Sequence, residues 1–144
     1  MKAAGTNKAF RHTETTTARP EDVWAVWADV ENWGSWDTGL DNAEGAVDRL
    51  GAEGTIIDLS GRRSPFTVTE YHEGVSYAFS TKLPGGALVV RRVIEAENPT
   101  RFTHFVSFEG FGGALLSFVL GPQFRRALPT TMQLLCARAE QVER

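Results

Sequence analysis

Leu116–Val142 reads LSFVLGPQFRRALPTTMQLLCARAEQV, and within it Leu116, Leu120, Phe124, Leu128, Met132, Leu135, Ala139 and Val142 recur at steps of four, four, four, four, three, four and three. That mean step matches an α-helix of about 3.6 residues per turn. A long C-terminal helix therefore carries one apolar face that must be buried against another layer. Gly121-Pro122 is expected to separate a short leading turn from the main helix, because proline lacks the N–H that a helix interior uses yet suits a helix start. Pro129 falls inside the main helix, where proline costs about 3 kcal/mol unless packing offsets it, and it predicts a kink.

The stretch from Ala43 to Glu109 supplies the other layer. Short β-prone runs alternate there with turn signals at Gly45, Gly51, Gly54, Ser60-Gly61, Glu73-Gly74, Gly85-Gly86 and Asn98-Pro99. This spacing predicts six strands joined as hairpins, an antiparallel meander rather than parallel βαβ units. Further upstream, the threonine-rich Phe10–Thr16 reads as a strand. Pro20 then suits a first helical turn, with Glu21 and Asp22 where the helix dipole favours acids. Val23, Trp24, Val26, Trp27 and Val30 follow at helical spacing, as the buried face of the first of two short helices. The expected fold is α+β: a curved antiparallel sheet of about seven strands around the long final helix, with two short helices after the first strand.

Period-two alternation assigns the faces of the sheet. Val75, Tyr77 and Phe79 form one inward set, and Phe102, His104, Val106 and Phe108 another. In the strand near Pro65–Tyr71 the same rule turns Phe66, Val68 and Glu70 inward, placing a carboxylate among apolar neighbours. Arg91 and Arg92 are adjacent and so point to opposite faces. Leu88, Val90, Arg92 and Ile94 are the preferred inward set. Glu70 and Arg92, if both inward, either pair with each other or contact a polar ligand group, since a buried charge left alone is costly.

The 144 residues suit one domain, drawn as an N-terminal tail over residues 1–8 and a single folded unit over residues 9–142. Hydrophobic residues make up 42% and charged residues 23%, which fits a packed globular interior rather than disorder. The formal charge of −3, with no clustered basic segment, argues against nucleic acid as a partner. The longest apolar run, Ala114–Leu120, is too short for an integral membrane segment, and no signal-peptide pattern follows Lys2, so a cytoplasmic location is expected. The lone Cys136 excludes an internal disulfide and reads as a small buried hydrophobe. His12, His72 and His104 lie on separate elements, so neither a metal site nor a cofactor is expected. Arg62-Arg63 and Arg125-Arg126 read as solvated charge.

This order of elements resembles the START-like superfamily called SRPBCC, with its helix-grip fold, and within it the polyketide cyclase/dehydrase family. The residues that carry the resemblance are Ala18-Arg19-Pro20-Glu21-Asp22-Val23-Trp24 with Trp33 and Trp36, the Phe66–Tyr71 strand with its turn, and Thr100-Arg101-Phe102-Thr103-His104 leading to Gly110. Gly121-Pro122 and Ala139-Glu140 also look like that family's final helix. The resemblance implies a deep cavity between helix and sheet and a family that binds lipids, sterols, polyketides or other hydrophobic molecules. It also places Trp36 at the cavity mouth. It does not fix one reaction.

The candidate ligand-binding residues are Trp36, Val68, Glu70, Tyr77, Phe79, Val90, Arg92, His104, Val106, Phe108, Leu128 and Met132. They combine an apolar lining with Glu70, Arg92 and His104 as polar groups, the composition of a pocket that orients a small hydrophobic ligand. The leading reading is binding of a lipid-like or polyketide-like molecule in an internal cavity. The alternative is a polyketide cyclase, aromatase or dehydratase, with a proton moved by His104 or Tyr77 and an enolate held by Arg92. Catalytic residues and the reaction itself stay open, because no recognised spacing ties His104 to a nucleophile or carboxylate; a hydrogen-bonded structural histidine is the plainer assignment. A third reading, a protein-interaction module, requires an apolar patch on the outer sheet, for which Phe105 and Tyr71 are candidates. Homodimerisation through that face is left open.

Overall fold

Residues 9–142 are described by the computed structural model; the expected tail over residues 1–8 lies outside them. Strand β1 (Ala9–Thr16) leads into helix α1 (Pro20–Ala28) and a 3-10 helix (Val30–Ser35). The meander follows as β2 (Asn42–Gly45), β3 (Glu53–Ile57), β4 (Arg63–His72), β5 (Ser76–Leu83), β6 (Gly86–Ala96) and β7 (Thr100–Glu109), and helix α2 (Gly113–Val142) closes the chain. All seven strands form one antiparallel sheet in the order β1-β7-β6-β5-β4-β3-β2.

Sequence neighbours β1 and β2 thus occupy opposite edges of the sheet, and the connection between them must cross its concave face. That crossing carries α1 and the 3-10 helix inward. Pro20 opens α1, and the Asp22 carboxylate accepts the Arg19 backbone N–H at 3.4 Å and the Arg19 guanidinium at 3.0 and 3.2 Å. An acid in the first turn both occupies free N–H groups and faces the positive end of the helix dipole. Val23, Val26, Trp27, Val30 and Trp33 are buried as a consequence, with Trp24 partly so.

Cross-strand partners fix the inner face. Arg92 lies between Tyr77 on β5 and His104 on β7, and Val90 lies between Phe79 and Val106. Arg92 is the inward arginine and is 2% exposed, while Arg91 faces the other side. Val75 is not part of the inward set: it sits in the turn before β5 and is 52% exposed.

A β-bulge corrects the reading of β4. Val68 pairs with Phe79, but the next partner pair is Glu70 with Ala78, so two β4 residues answer one step on β5. The extra residue reverses the alternation beyond Val68. Tyr71 consequently turns in against Trp24 (ring centroids 6.0 Å apart), and Glu70 turns out to meet Arg91 at 3.1 Å.

Helix α2 is continuous and contains both Pro122 and Pro129, so Gly121-Pro122 does not divide it. Each proline removes only one ladder bond, and a 30-residue helix retains the others. Its start is fixed by a tight turn: Gly110 has φ +92°, and Gly112 donates its N–H to Gly85 at 2.5 Å. The C-terminal half fills the interior with Leu128, Met132, Leu135, Cys136 and Ala139 and packs on α1 and β1. Leu116, Leu120 and Phe124 are only partly buried, so the N-terminal half leaves space above the sheet. No helix among the described residues is long and apolar enough to cross a membrane.

Candidate functional site

Two adjoining chambers occupy that space. The larger, about 370 Å³, is bounded by Leu40, Ile56, Phe79, Leu88 and Val90 from the sheet side and by Leu120 and Phe124 from α2. Its rim is formed by Leu59, Ser60 and Arg62 of the β3–β4 loop and by Gln123, all of them exposed. The smaller, about 50 Å³, lies over Arg92, His104 and Val106 under Leu128 and Thr131. Asp37, Gly39, Val90 and Phe124 line both chambers and so stand at the boundary between them.

At the inner end Arg92 is held in an aromatic cage. Its guanidinium carbon lies 4.6 Å from the Trp33 ring, 5.0 Å from Trp36, 5.4 Å from Phe79 and 5.8 Å from Tyr77. Ring faces attract a cation, by about 2 kcal/mol when both are withdrawn from water, which offsets part of the cost of burying the charge. Arg92 Nη1 donates to the Tyr77 hydroxyl at 2.7 Å, and that hydroxyl donates to the Trp27 carbonyl at 3.2 Å. The same carbonyl, near the end of α1, accepts the Trp33 indole N–H at 2.9 Å. One helix-terminal acceptor thereby positions two walls of the cage. The charge partner is Asp37, with Oδ2 3.7 Å from Arg92 Nη2, beyond hydrogen-bond range. Arg92 Nε and Trp36 Nε1 are buried and have no hydrogen-bond partner among the described residues.

Burial and the neighbouring charge set the protonation states. Desolvation first, then the Arg92 charge, holds the His104 imidazole well below its ordinary value of 6.5. His104 Nε2 accepts the Trp27 indole N–H at 3.1 Å, so the proton of the neutral ring resides on Nδ1. Desolvation raises the Asp37 carboxyl above its ordinary 3.8, against the opposing pull of Arg92 and the Gly39 N–H. The Tyr77 hydroxyl is raised by burial.

The residues singled out in the sequence fall into four groups. Val90, Arg92, His104, Val106 and Leu128 line the small chamber, and Phe79 and Val90 the large one. Val68, Tyr77, Phe108 and Met132 are buried in the core around them. Trp36 is 1% exposed, inside the cage rather than at the mouth. Glu70 lies on the opposite face, paired with Arg91.

Sequence reasoning missed Asp37, Gly39, Leu40, Ile56, Leu120 and Phe124 as lining, together with the Asp58–Arg62 rim. Asp37 follows Trp36 directly and accepts the Gly39 N–H at 2.9 Å, a short turn that the spacing of an aspartate and a glycine two residues apart signals.

Other features carry less chemistry. No group of three or more His, Cys, Asp or Glu among the described residues is placed to hold a metal ion. Burial pushes the Cys136 thiol up to about 11. Among the described residues, the two candidates for an outer apolar patch do not form one: Tyr71 is turned inward, and Phe105 lies between Arg11 and Arg91, 5.9 and 5.6 Å from its ring. Large exposed apolar residues instead gather at the start of α2, at Phe111, Leu115, Phe118 and Val119.

A seven-stranded antiparallel sheet gripping a long C-terminal helix, with a cavity between them, is the helix-grip architecture of START-like proteins. The chain belongs to the family described as polyketide cyclase/dehydrase and lipid transport, which matches residues 8–140. Its fold is similar to that of a protein from Mesorhizobium loti at 13% identity, with a TM-score of 0.74 over 93% of this chain and 98% of that one. It is also similar to the Zhui aromatase/cyclase from Streptomyces sp. R1128 at 16% identity, with a TM-score of 0.72 over 95% and 96% of the two chains. Ara h 8.0201 shares the fold at 10% identity, with a TM-score of 0.68 over 92% and 97%. No curated protein matches the chain.

Proposed function

We propose that the protein binds a small hydrophobic molecule, lipid-like or polyketide-like, in the cavity between the sheet and α2. The observation that carries this reading is the chamber of about 370 Å³, apolar along Leu40, Ile56, Leu88, Leu120 and Phe124 and reached past an exposed rim. Its volume falls within the roughly 300–1,000 Å³ typical of small-molecule sites, and a few polar groups converge at one end, as such sites require. Binding accounts for the geometry better than turnover. A general base needs a free lone pair within reach of the substrate. The Nε2 lone pair of His104 is already engaged by Trp27, and burial keeps the ring neutral.

Titration with an environment-sensitive apolar fluorophore, followed by displacement with aliphatic and aromatic compounds, tests the reading. Saturable binding is expected, and Val90→Phe, which adds bulk where the two chambers meet, is expected to weaken it by at least about tenfold. Absence of binding, or equal binding by Val90→Phe, overturns it.

A further inference from the structure

We propose that the ligand is a monocarboxylate whose ionised head seats in the small chamber at Arg92 while its apolar remainder fills the large one. This rests on the cavity being the binding site and adds the chemical class of the occupant. The first observation is an imbalance of donors. Arg92 and Trp36 are donors only, and the neutral His104 ring, its Nε2 engaged by Trp27, offers N–H from Nδ1. Arg92 Nε, in the chamber lining, and Trp36 Nε1, in the cage beside it, are both left without an acceptor among the described residues. Arg92 Nη1 already donates to Tyr77 at 2.7 Å, behind the chamber wall; among the side chains lining the small chamber, Thr131 shares its hydroxyl with Thr38 at 2.8 Å, which leaves the Asp37 carboxyl as the remaining acceptor of that lining.

The second observation is charge. Asp37 stands 3.7 Å from Arg92 Nη2, too far for a hydrogen bond, and its carboxyl is held above the ordinary carboxylate range. The caged cation is therefore under-compensated within the protein, and a buried cation gains most from an anion in direct hydrogen-bonded contact. An ammonium head would meet Arg92 as a like charge, and a hydroxyl or an ester would supply an acceptor without charge. The third observation is shape. The inner chamber, about 50 Å³, has room for a head of few atoms, and it meets an apolar space several times larger at Val90 and Phe124, the boundary that the ligand would span.

A matched series separates these possibilities: decanoic acid, its methyl ester, decanol and decylamine, titrated calorimetrically at pH 7.5 beside the apolar fluorophore. The acid is expected to bind at least about tenfold more tightly than the ester, and the amine most weakly. Arg92→Met is expected to bring the acid-to-ester ratio close to one. Because Arg92 is also packed in the core, Asp37→Asn provides an independent reading: removing the competing carboxylate is expected to raise the ratio. A ratio of one in the unaltered protein, preference for the amine, or a ratio that Asp37→Asn leaves unchanged overturns the inference, even while fluorophore binding upholds the cavity as a site. Failure of the fluorophore and of the whole series to bind overturns both.

Discussion

Arg92 and His104 show how burial converts ordinary side chains into fixed electrostatic elements. The unfolded chain protonates His104 near its ordinary 6.5, whereas the folded chain resists that proton to much lower pH. Its contribution to stability is therefore complete above about pH 6.5 and is lost as pH falls through 6.5 toward the lowered folded value. Asp37 acts in the opposite sense: with its folded value raised above 3.8, its contribution is present below 3.8 and is lost as pH rises through the folded value. Thermal unfolding followed from pH 7.5 to 5 is expected to show the His104 loss, and His104→Gln, which keeps an acceptor for Trp27 but cannot titrate, is expected to flatten it. Equal slopes in the two proteins would assign the loss to other groups.

Glu70 tests the face assignment. Its pair with Arg91 is a third to two-fifths exposed, so Glu70→Gln should cost less than about 1 kcal/mol in chemical denaturation and leave ligand affinity unchanged. A large loss of affinity would place the carboxylate in the cavity after all. Alternation allowed only one of Arg91 and Arg92 to face inward and preferred Arg92 without deciding between them, because both faces of that strand carry aliphatic residues; the pairing along β6 from Leu88 to Ile94 turns Arg92 in. Asp37 was not legible, since it lies in a connection with no period to count.

Among the elements, β4 and α2 depart most from simple pattern reading. A bulge changes the side of every residue beyond it, yet Val68-Thr69-Glu70 carries no composition that announces one. Tyr71 is the marker: an aromatic residue on the supposed outer face fits better after a reversal of phase. Tyr71→Ser, which removes the ring packed on Trp24, is expected to destabilise the protein by about 1–3 kcal/mol, with Tyr71→Phe near neutral. In α2 the periodicity from Leu116 onward predicted the helix, but proline rules placed a break that packing and the glycine-anchored start override. Pro122 is exposed, so Pro122→Ala restores a ladder bond without disturbing the core and should stabilise the protein by about 1–3 kcal/mol. A decrease in melting temperature would indicate that the proline shapes the helix in a way the packing requires.

For the whole molecule, strand number, antiparallel topology and the gripping helix were readable from turn spacing and two hydrophobic periods. Those signals report which residues avoid water. They do not report where the enclosed volume stays empty, because an empty chamber depends on how the N-terminal half of α2 stands off the sheet. Of the residues named as lining, Val90, Arg92, His104, Val106 and Leu128 border the small chamber, while Val68, Tyr77, Phe108 and Met132 pack in the core. The most direct measurement is a map of amide and methyl NMR shifts during titration with decanoic acid. The largest changes are expected at Leu88, Val90, Leu120 and Phe124, with the Arg92 side chain following. Changes confined to the exposed apolar residues Phe111, Leu115, Phe118 and Val119 would contradict it and place the ligand on the surface of α2.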